Sequence, residues 1–120
     1  MRGYLLDTNV VIGFAYDPDQ FRGDVRTRLL APSERLVVSV VCAFEMAVKH
    51  SLGKLPLPDG FDTESLDVAM PHAARVRHLP FHHRDPFDRL LIAQAIEEDL
   101  ILVTSDRAFS LYSGLRVLPA

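Results

Sequence analysis

Short apolar runs alternate along the chain with longer stretches whose apolar positions recur every three or four residues. Gly3-Tyr4-Leu5-Leu6-Asp7 reads as a short buried strand, followed by an apolar helix over 9–15 that Asp17-Pro18-Asp19 breaks. A second helix fits 22–30 and ends at Ala31-Pro32. Arg35-Leu36-Val37-Val38 is a strand rich in β-branched residues. Ser39 then caps a third helix running to about residue 52, with Gly53 as its stop. Residues 54–63, with Pro56, Pro58 and Gly60, form a loop, and 65–70 is a weaker strand. Pro71 suits the first turn of a helix reaching about residue 78, and 79–84 is a connector. Asp85-Pro86 is a strong start, an N-cap followed by proline, for a helix over 87–98. The strand Leu100-Ile101-Leu102-Val103, a short helix over 106–112 and a closing strand over 115–118 complete the pattern.

The strands are continuously apolar, which implies an α/β fold: a parallel sheet of four to five strands covered by helices on both faces. Such sheets bind ligands beyond the carboxyl ends of their strands, where the strand order reverses. Asp7 and Asp106 directly follow the first and fourth predicted strands, where that rule looks for a site.

Composition narrows the class. A length of 120 residues allows one domain over 1–120, and 48% hydrophobic with 24% charged residues excludes a disordered or fibrous chain. The single cysteine, Cys42, excludes an internal disulfide and a cysteine-rich zinc site; in its apolar stretch it reads as a core residue. Asp7 arrives before any apolar segment long enough for a secretory signal. The longest apolar stretch, 36–48, carries Ser39 and Glu45 and falls short of the roughly 20 residues a membrane helix needs. A cytoplasmic location is the expectation. A net charge of −3 argues against a general nucleic-acid binder. Removing four suspected ligand charges from −3 leaves +1, so nucleic acid stays open as a substrate.

Those four are Asp7, Glu45, Asp88 and Asp106. Glu45 is the only charge within Val40-Val41-Cys42-Ala43-Phe44-Glu45-Met46-Ala47-Val48 and shares a helix side with Val41, Cys42 and Val48. Asp88 opens a face continued by Leu91, Ile92 and Ala95. Each position has a plainer reading. Asp7 and Asp106 suit helix N-caps, Glu45 an ion pair with Lys49, and Asp88 a salt bridge to Arg84 or Arg89. Together, two at strand ends and two on helix faces, they make coincidence less plausible. Carboxylates brought into one pocket repel by about 4 kcal/mol per pair at ~4 Å and a dielectric near 20. A divalent cation is the usual remedy, and oxygen-only ligands favour Mg²⁺ or Mn²⁺ over zinc. Asp85 reads mainly as a cap. His78, His82 and His83 match no compact zinc spacing and read as surface or supporting residues. Lys49, Lys54, Arg84 and Arg89 flank the proposed site in sequence and read either as RNA phosphate contacts or, almost as well, as solvated helix faces.

Four blocks carry a resemblance: Leu5-Leu6-Asp7-Thr8-Asn9; the stretch from Ser39 to Gly53-Lys54-Leu55 with Glu45; His83-Arg84-Asp85-Pro86-Phe87-Asp88-Arg89-Leu90-Leu91-Ile92-Ala93-Gln94-Ala95; and Leu102-Val103-Thr104-Ser105-Asp106. They resemble a PIN domain, more narrowly the VapC-type toxins of bacterial toxin–antitoxin modules. The resemblance implies an endoribonuclease dependent on Mg²⁺ or Mn²⁺, with Asp7, Glu45, Asp88 and Asp106 as its acidic site. It also implies Thr8, Asn9 and Thr104 as polar neighbours that orient ligands or the attacking water, with Asp85 in support. A homodimer and a VapB-like antitoxin partner belong to the same implication. One departure is Met70 before Pro71, where a capping hydroxyl residue is expected.

Rival readings remain. A haloacid-dehalogenase-like phosphatase with Asp7 as nucleophile wants a second aspartate two residues on, where this chain has Asn9. A non-catalytic PIN scaffold binding RNA or protein, and a housekeeping RNA-processing nuclease, are the other two.

Overall fold

The computed structural model describes residues 3–31, 33–53 and 64–120. Five strands, β1 (Gly3–Leu6), β2 (Arg35–Ser39), β3 (Glu64–Leu66), β4 (Ile101–Thr104) and β5 (Arg116–Pro119), form one sheet in the order β3-β2-β1-β4-β5. Every pairing is parallel, with Leu5 opposite Val37 on one side and Leu102 on the other. Parallel pairing requires a crossover after each strand, so both faces must be covered, and this is why the strands carry no polar face.

Strand pleating divides the core in two. Leu5, Val37 and Leu102 point into a cluster with Leu91, Ile92, Ala95 and Phe109, built on α5 (Pro86–Glu97) and the 3-10 helix Arg107–Leu111. Tyr4, Leu6 and Val103 point the other way, against Val10 and Val11 of α1 (Thr8–Tyr16) and Val25 and Leu29 of α2 (Gly23–Leu30). A 3-10 turn, Pro18–Gln20, lies so close to α1 that a Cβ on Gly13 would stand 2.6 Å from Gln20 Nε2 and from the Phe21 ring that follows it. The Phe21 ring stacks on Phe14 with centroids 4.5 Å apart.

Helix α3 (Val40–Ser51) buries Val41, Cys42 and Met46, and Gly53 at φ +70 ends it as anticipated. The outer side of this helix is apolar and open to solvent. Val40, Phe44, Val48 and Leu52 follow one another at four-residue spacing and are all exposed, Phe44 by 58%. Val48, expected beside Glu45 on a buried side, is therefore outside.

Two sequence-based boundaries shift. The third strand ends at Leu66 rather than near residue 70. Helix α4 (Met70–Val76) takes Ala69 as its N-cap, so the hydroxyl expected at Met70 has no position to fill. His72 supplies the capping instead: its Nδ1 accepts the Ala69 backbone N–H at 3.0 Å, and its Nε2 lies 2.8 Å from Glu98 Oε1. The predicted loop over 54–63, with Lys54, lies outside the described residues.

Candidate active site

Strand order reverses between β1 and β4, because the chain leaves β1 toward β2 and β3 but leaves β4 toward β5. Asp7 sits on that line; its backbone N–H donates to the Val103 carbonyl at 3.0 Å. It is the N-cap residue of α1 yet makes no side-chain capping bond. Its carboxylate is turned to Thr104 instead, whose Oγ1 donates to Oδ2 at 2.8 Å. Asp7 is only 7% exposed, and burial pushes its pKa up against the hydrogen bonds from Thr104 and the Thr8 backbone.

Glu45 comes from α3 and is partly buried, with Thr8 Oγ1 donating to its Oε1 at 3.3 Å. Burial raises its pKa; Lys49 acts on it only as a nearby charge, without an ion-pair contact. Asp88 lies in the first turn of α5. Burial first, then the charges of Asp85, Asp7 and Glu45, push it up to about 6. Among the described residues none of these three carboxylates forms a salt bridge with an arginine or lysine. The anticipated bridge from Arg89 to Asp88 is replaced by another use of the guanidinium. Arg89 is buried and donates to the carbonyls of Val76, Leu79 and Pro80 at 2.9–3.2 Å. It ties the α4 end to α5. Arg84 is exposed and Lys49 partly buried.

Asp106 is held differently. Its Oδ1 accepts the Ala108 backbone N–H at 2.9 Å, the helix-capping role weighed for it above. Its Oδ2 lies 3.0 Å from His83 Nε2. These two donors, the backbone one first, hold its pKa below the usual carboxylate range. Asp106 raises the Asp7 pKa, which places it within electrostatic reach of the other acids. Asp85 caps α5 by accepting from Phe87 N–H at 2.8 Å and adds negative charge beside Asp88. Asn9 is exposed in the first turn of α1. Cys42 is buried, and desolvation pushes its thiol up to about 12, as suits a core residue.

Two polar residues are more deeply built into the site than the sequence suggests. His83, read as a surface or supporting side chain, is buried against Phe109 and Tyr112. Gln94 is fully buried and accepts from Ser39 Oγ at 2.5 Å, while Ser39 also caps α3 through Val41 N–H. Glu45 and Asp88 lie six residues from Ser39 and Gln94 respectively, so this bond sets the register between their helices. A buried amide inside an apolar helix, as in Leu91-Ile92-Ala93-Gln94-Ala95, was the available signal for it.

The residues suit a hard divalent cation in donor chemistry and in charge. Among the described residues no three His, Cys, Asp or Glu side chains form a ready-made cage. Mg²⁺ seldom needs one, since it keeps several waters and takes one or two carboxylates. Three carboxylates raised by burial and by neighbouring acids would each gain from such an ion.

The PIN domain family model matches residues 4–115. No curated protein matches the chain. Among solved structures, the fold is similar to a DNA-bound VapBC from Salmonella typhimurium, at 19% identity and TM-score 0.68 over 99% of this chain and 98% of that one. It is also similar to VapBC2 from Rickettsia felis bound to a promoter DNA fragment, at 18% identity and TM-score 0.73 over 97% of each chain. A toxin–antitoxin complex from Klebsiella pneumoniae gives 18% identity and TM-score 0.64 over 97% and 96%. Topology, the acid-lined switch point and a family match across nearly the whole length lead to one assignment: the chain belongs to the PIN domain family.

Proposed function

We propose that this protein is a metal-dependent endoribonuclease, the VapC-type toxin of a toxin–antitoxin pair, hydrolysing RNA phosphodiester bonds. One observation carries the reading. Asp7, Glu45 and Asp88 arrive from three separate elements at the sheet's switch point, and burial raises all three, with no basic side chain bonded to them among the described residues. They, with Asp106, would hold Mg²⁺ or Mn²⁺. When bound, such an ion activates water and offsets charge on the scissile phosphate. The chain's own residues prepare the place. Thr104 turns the Asp7 carboxylate and Thr8 the Glu45 carboxylate. The Ser39–Gln94 bond fixes α3 against α5. Arg84, exposed beside Asp85, and Lys49 are two described cations proposed to meet RNA phosphates. The products would carry 5′-phosphate and 3′-hydroxyl ends.

The partners follow the same reading. A VapB-like antitoxin is proposed as the inhibitor, supported by the folds of three toxin–antitoxin complexes. The exposed stripe Val40, Phe44, Val48 and Leu52 supports a protein contact, and a homodimer is proposed. No helix among the described residues is long and apolar enough to cross a membrane, and a cytoplasmic site of action is part of the proposal.

The test is incubation of purified protein with structured RNA in Mg²⁺, Mn²⁺ or EDTA. Cleavage with either metal and none in EDTA is expected; cleavage that survives EDTA would sink the mechanism. A non-catalytic scaffold would bind RNA and leave it intact under all three conditions.

A further inference from the structure

Asp106 is the most solvent-exposed of the four acids. Its side chain is 47% exposed and it heads a 3-10 turn rather than a long helix. The Ala108 N–H holds one of its oxygens, and what steadies the other comes from the connector before α5. The His83 ring is buried, 4.2 Å from the Phe109 ring and 5.6 Å from the nearly parallel Tyr112 ring. His83 Nε2 stands 3.0 Å from Asp106 Oδ2, and Nδ1 stands 3.1 Å from the Tyr112 hydroxyl. A carboxylate only accepts, so Nε2 carries a proton; in the neutral ring Nδ1 is then the acceptor and the tyrosine the donor. The chain continues past Asp106. Its backbone N–H donates to Thr104 Oγ1 at 3.1 Å, and that hydroxyl donates to Asp7 Oδ2 at 2.8 Å. Every donor along Tyr112, His83, Asp106, Thr104 and Asp7 points the same way.

We infer that His83 and Tyr112 are positioning residues of the acidic site, anchoring a one-way hydrogen-bond chain that fixes the Asp106 carboxylate and ends on Asp7. This rests on the nuclease reading above. The pair touches no substrate; it removes rotational freedom from an otherwise half-exposed ligand. Partners one layer behind a metal ligand typically change affinity or activity by about 10–100-fold.

The experiment compares wild type, H83L, H83Q and Y112F by kcat and KM on structured RNA, Mn²⁺ affinity by calorimetry, and thermal unfolding. H83L should lower kcat and weaken Mn²⁺ binding by about tenfold or more, with KM within about twofold. H83Q can still donate to Asp106 and should recover much of both losses. Y112F, which deletes one hydroxyl, should weaken Mn²⁺ binding by a smaller factor without loss of folding, and decides the matter if H83L does not fold. H83L matching wild type in kcat and Mn²⁺ affinity overturns the inference, as does H83Q falling as far as H83L, or Y112F matching wild type. A wild-type protein that binds Mn²⁺ but leaves RNA intact overturns the nuclease reading alone, and the Mn²⁺ affinities then decide the positioning. A wild-type protein that binds no Mn²⁺ overturns both.

Discussion

Asp7 and Asp106 flank the same threonine, yet the fold treats their charges in opposite ways. On the side of α1, α3 and α5, Asp7, Glu45 and Asp88 are desolvated and crowded, and their pKa values are raised, that of Asp88 to about 6. On the side of the 3-10 helix, Asp106 receives one N–H on each oxygen and its pKa is lowered. The first group is charge the protein gathers without neutralising. The second is charge the protein fixes in place. A hydrated cation, as proposed for this site, would meet both: an unmet field to draw it in and one anchored oxygen group to set where it stops.

The contrast breaks most sharply at Asp7. Asp7→Asn keeps the size and removes the charge, and RNA cleavage should fall by about 10³-fold or more, the scale of several kcal/mol of lost charge stabilisation. Steady-state cleavage on one RNA substrate checks it. Activity undiminished in Asp7→Asn would remove the crowded half from the chemistry. Thr104→Val, which deletes the hydroxyl shared by the two halves, should lower cleavage by about 10–100-fold with little change in RNA binding, measured as kcat against KM.

These two predictions stand on residues whose roles differed in how plainly they showed. Asp85-Pro86, Ser39 and Gly53 could be placed from the chain because caps and stops act within three residues of themselves. The parallel sheet could be placed because burial on both faces leaves no polar alternation. The acids stood out because each interrupts an apolar pattern. His83 did not, since its partners lie 23 and 29 residues away and join it only after the 3-10 helix folds back. Arg89 misled for a related reason: its position next to Asp88 suggested a salt bridge, whereas three carbonyls left at the end of α4 and in the following connector take three of its N–H groups. Capping of α4 from His72 was unreadable because that ring is aimed by Glu98, 26 residues on.

Smaller effects sharpen the same comparison. Ser39→Ala strands the buried Gln94 amide and loosens α3 from α5, with an expected loss of about 1–3 kcal/mol by urea unfolding and a modest fall in cleavage. An unchanged midpoint would show that the two helices hold their register without it.

Proton linkage separates the halves without touching activity. Asp7, Glu45 and Asp88 bind protons more tightly in the folded than in the unfolded chain, so in cation-free protein their contribution is best when protonated. It is lost as pH rises from about 4, the ordinary carboxylate value, through about 6, where Asp88 titrates. Asp106, lowered on folding, acts in the opposite sense and stabilises above its ordinary value. Asp88→Asn should therefore raise the melting temperature of cation-free protein at pH 8 by a few degrees, about 1 kcal/mol for a domain of this size, and change little at pH 4. A lower melting temperature at pH 8 would mean that Asp88 is already paired.

Crystals grown in Mn²⁺ and measured at its absorption edge test the central claim most directly. The account predicts an anomalous peak within about 2.5 Å of carboxylate oxygens from at least one of Asp7, Glu45 and Asp88, beyond the ends of β1 and β4. Saturating Mn²⁺ with no peak there, or peaks confined to other acids such as Glu97 and Glu98, would contradict it.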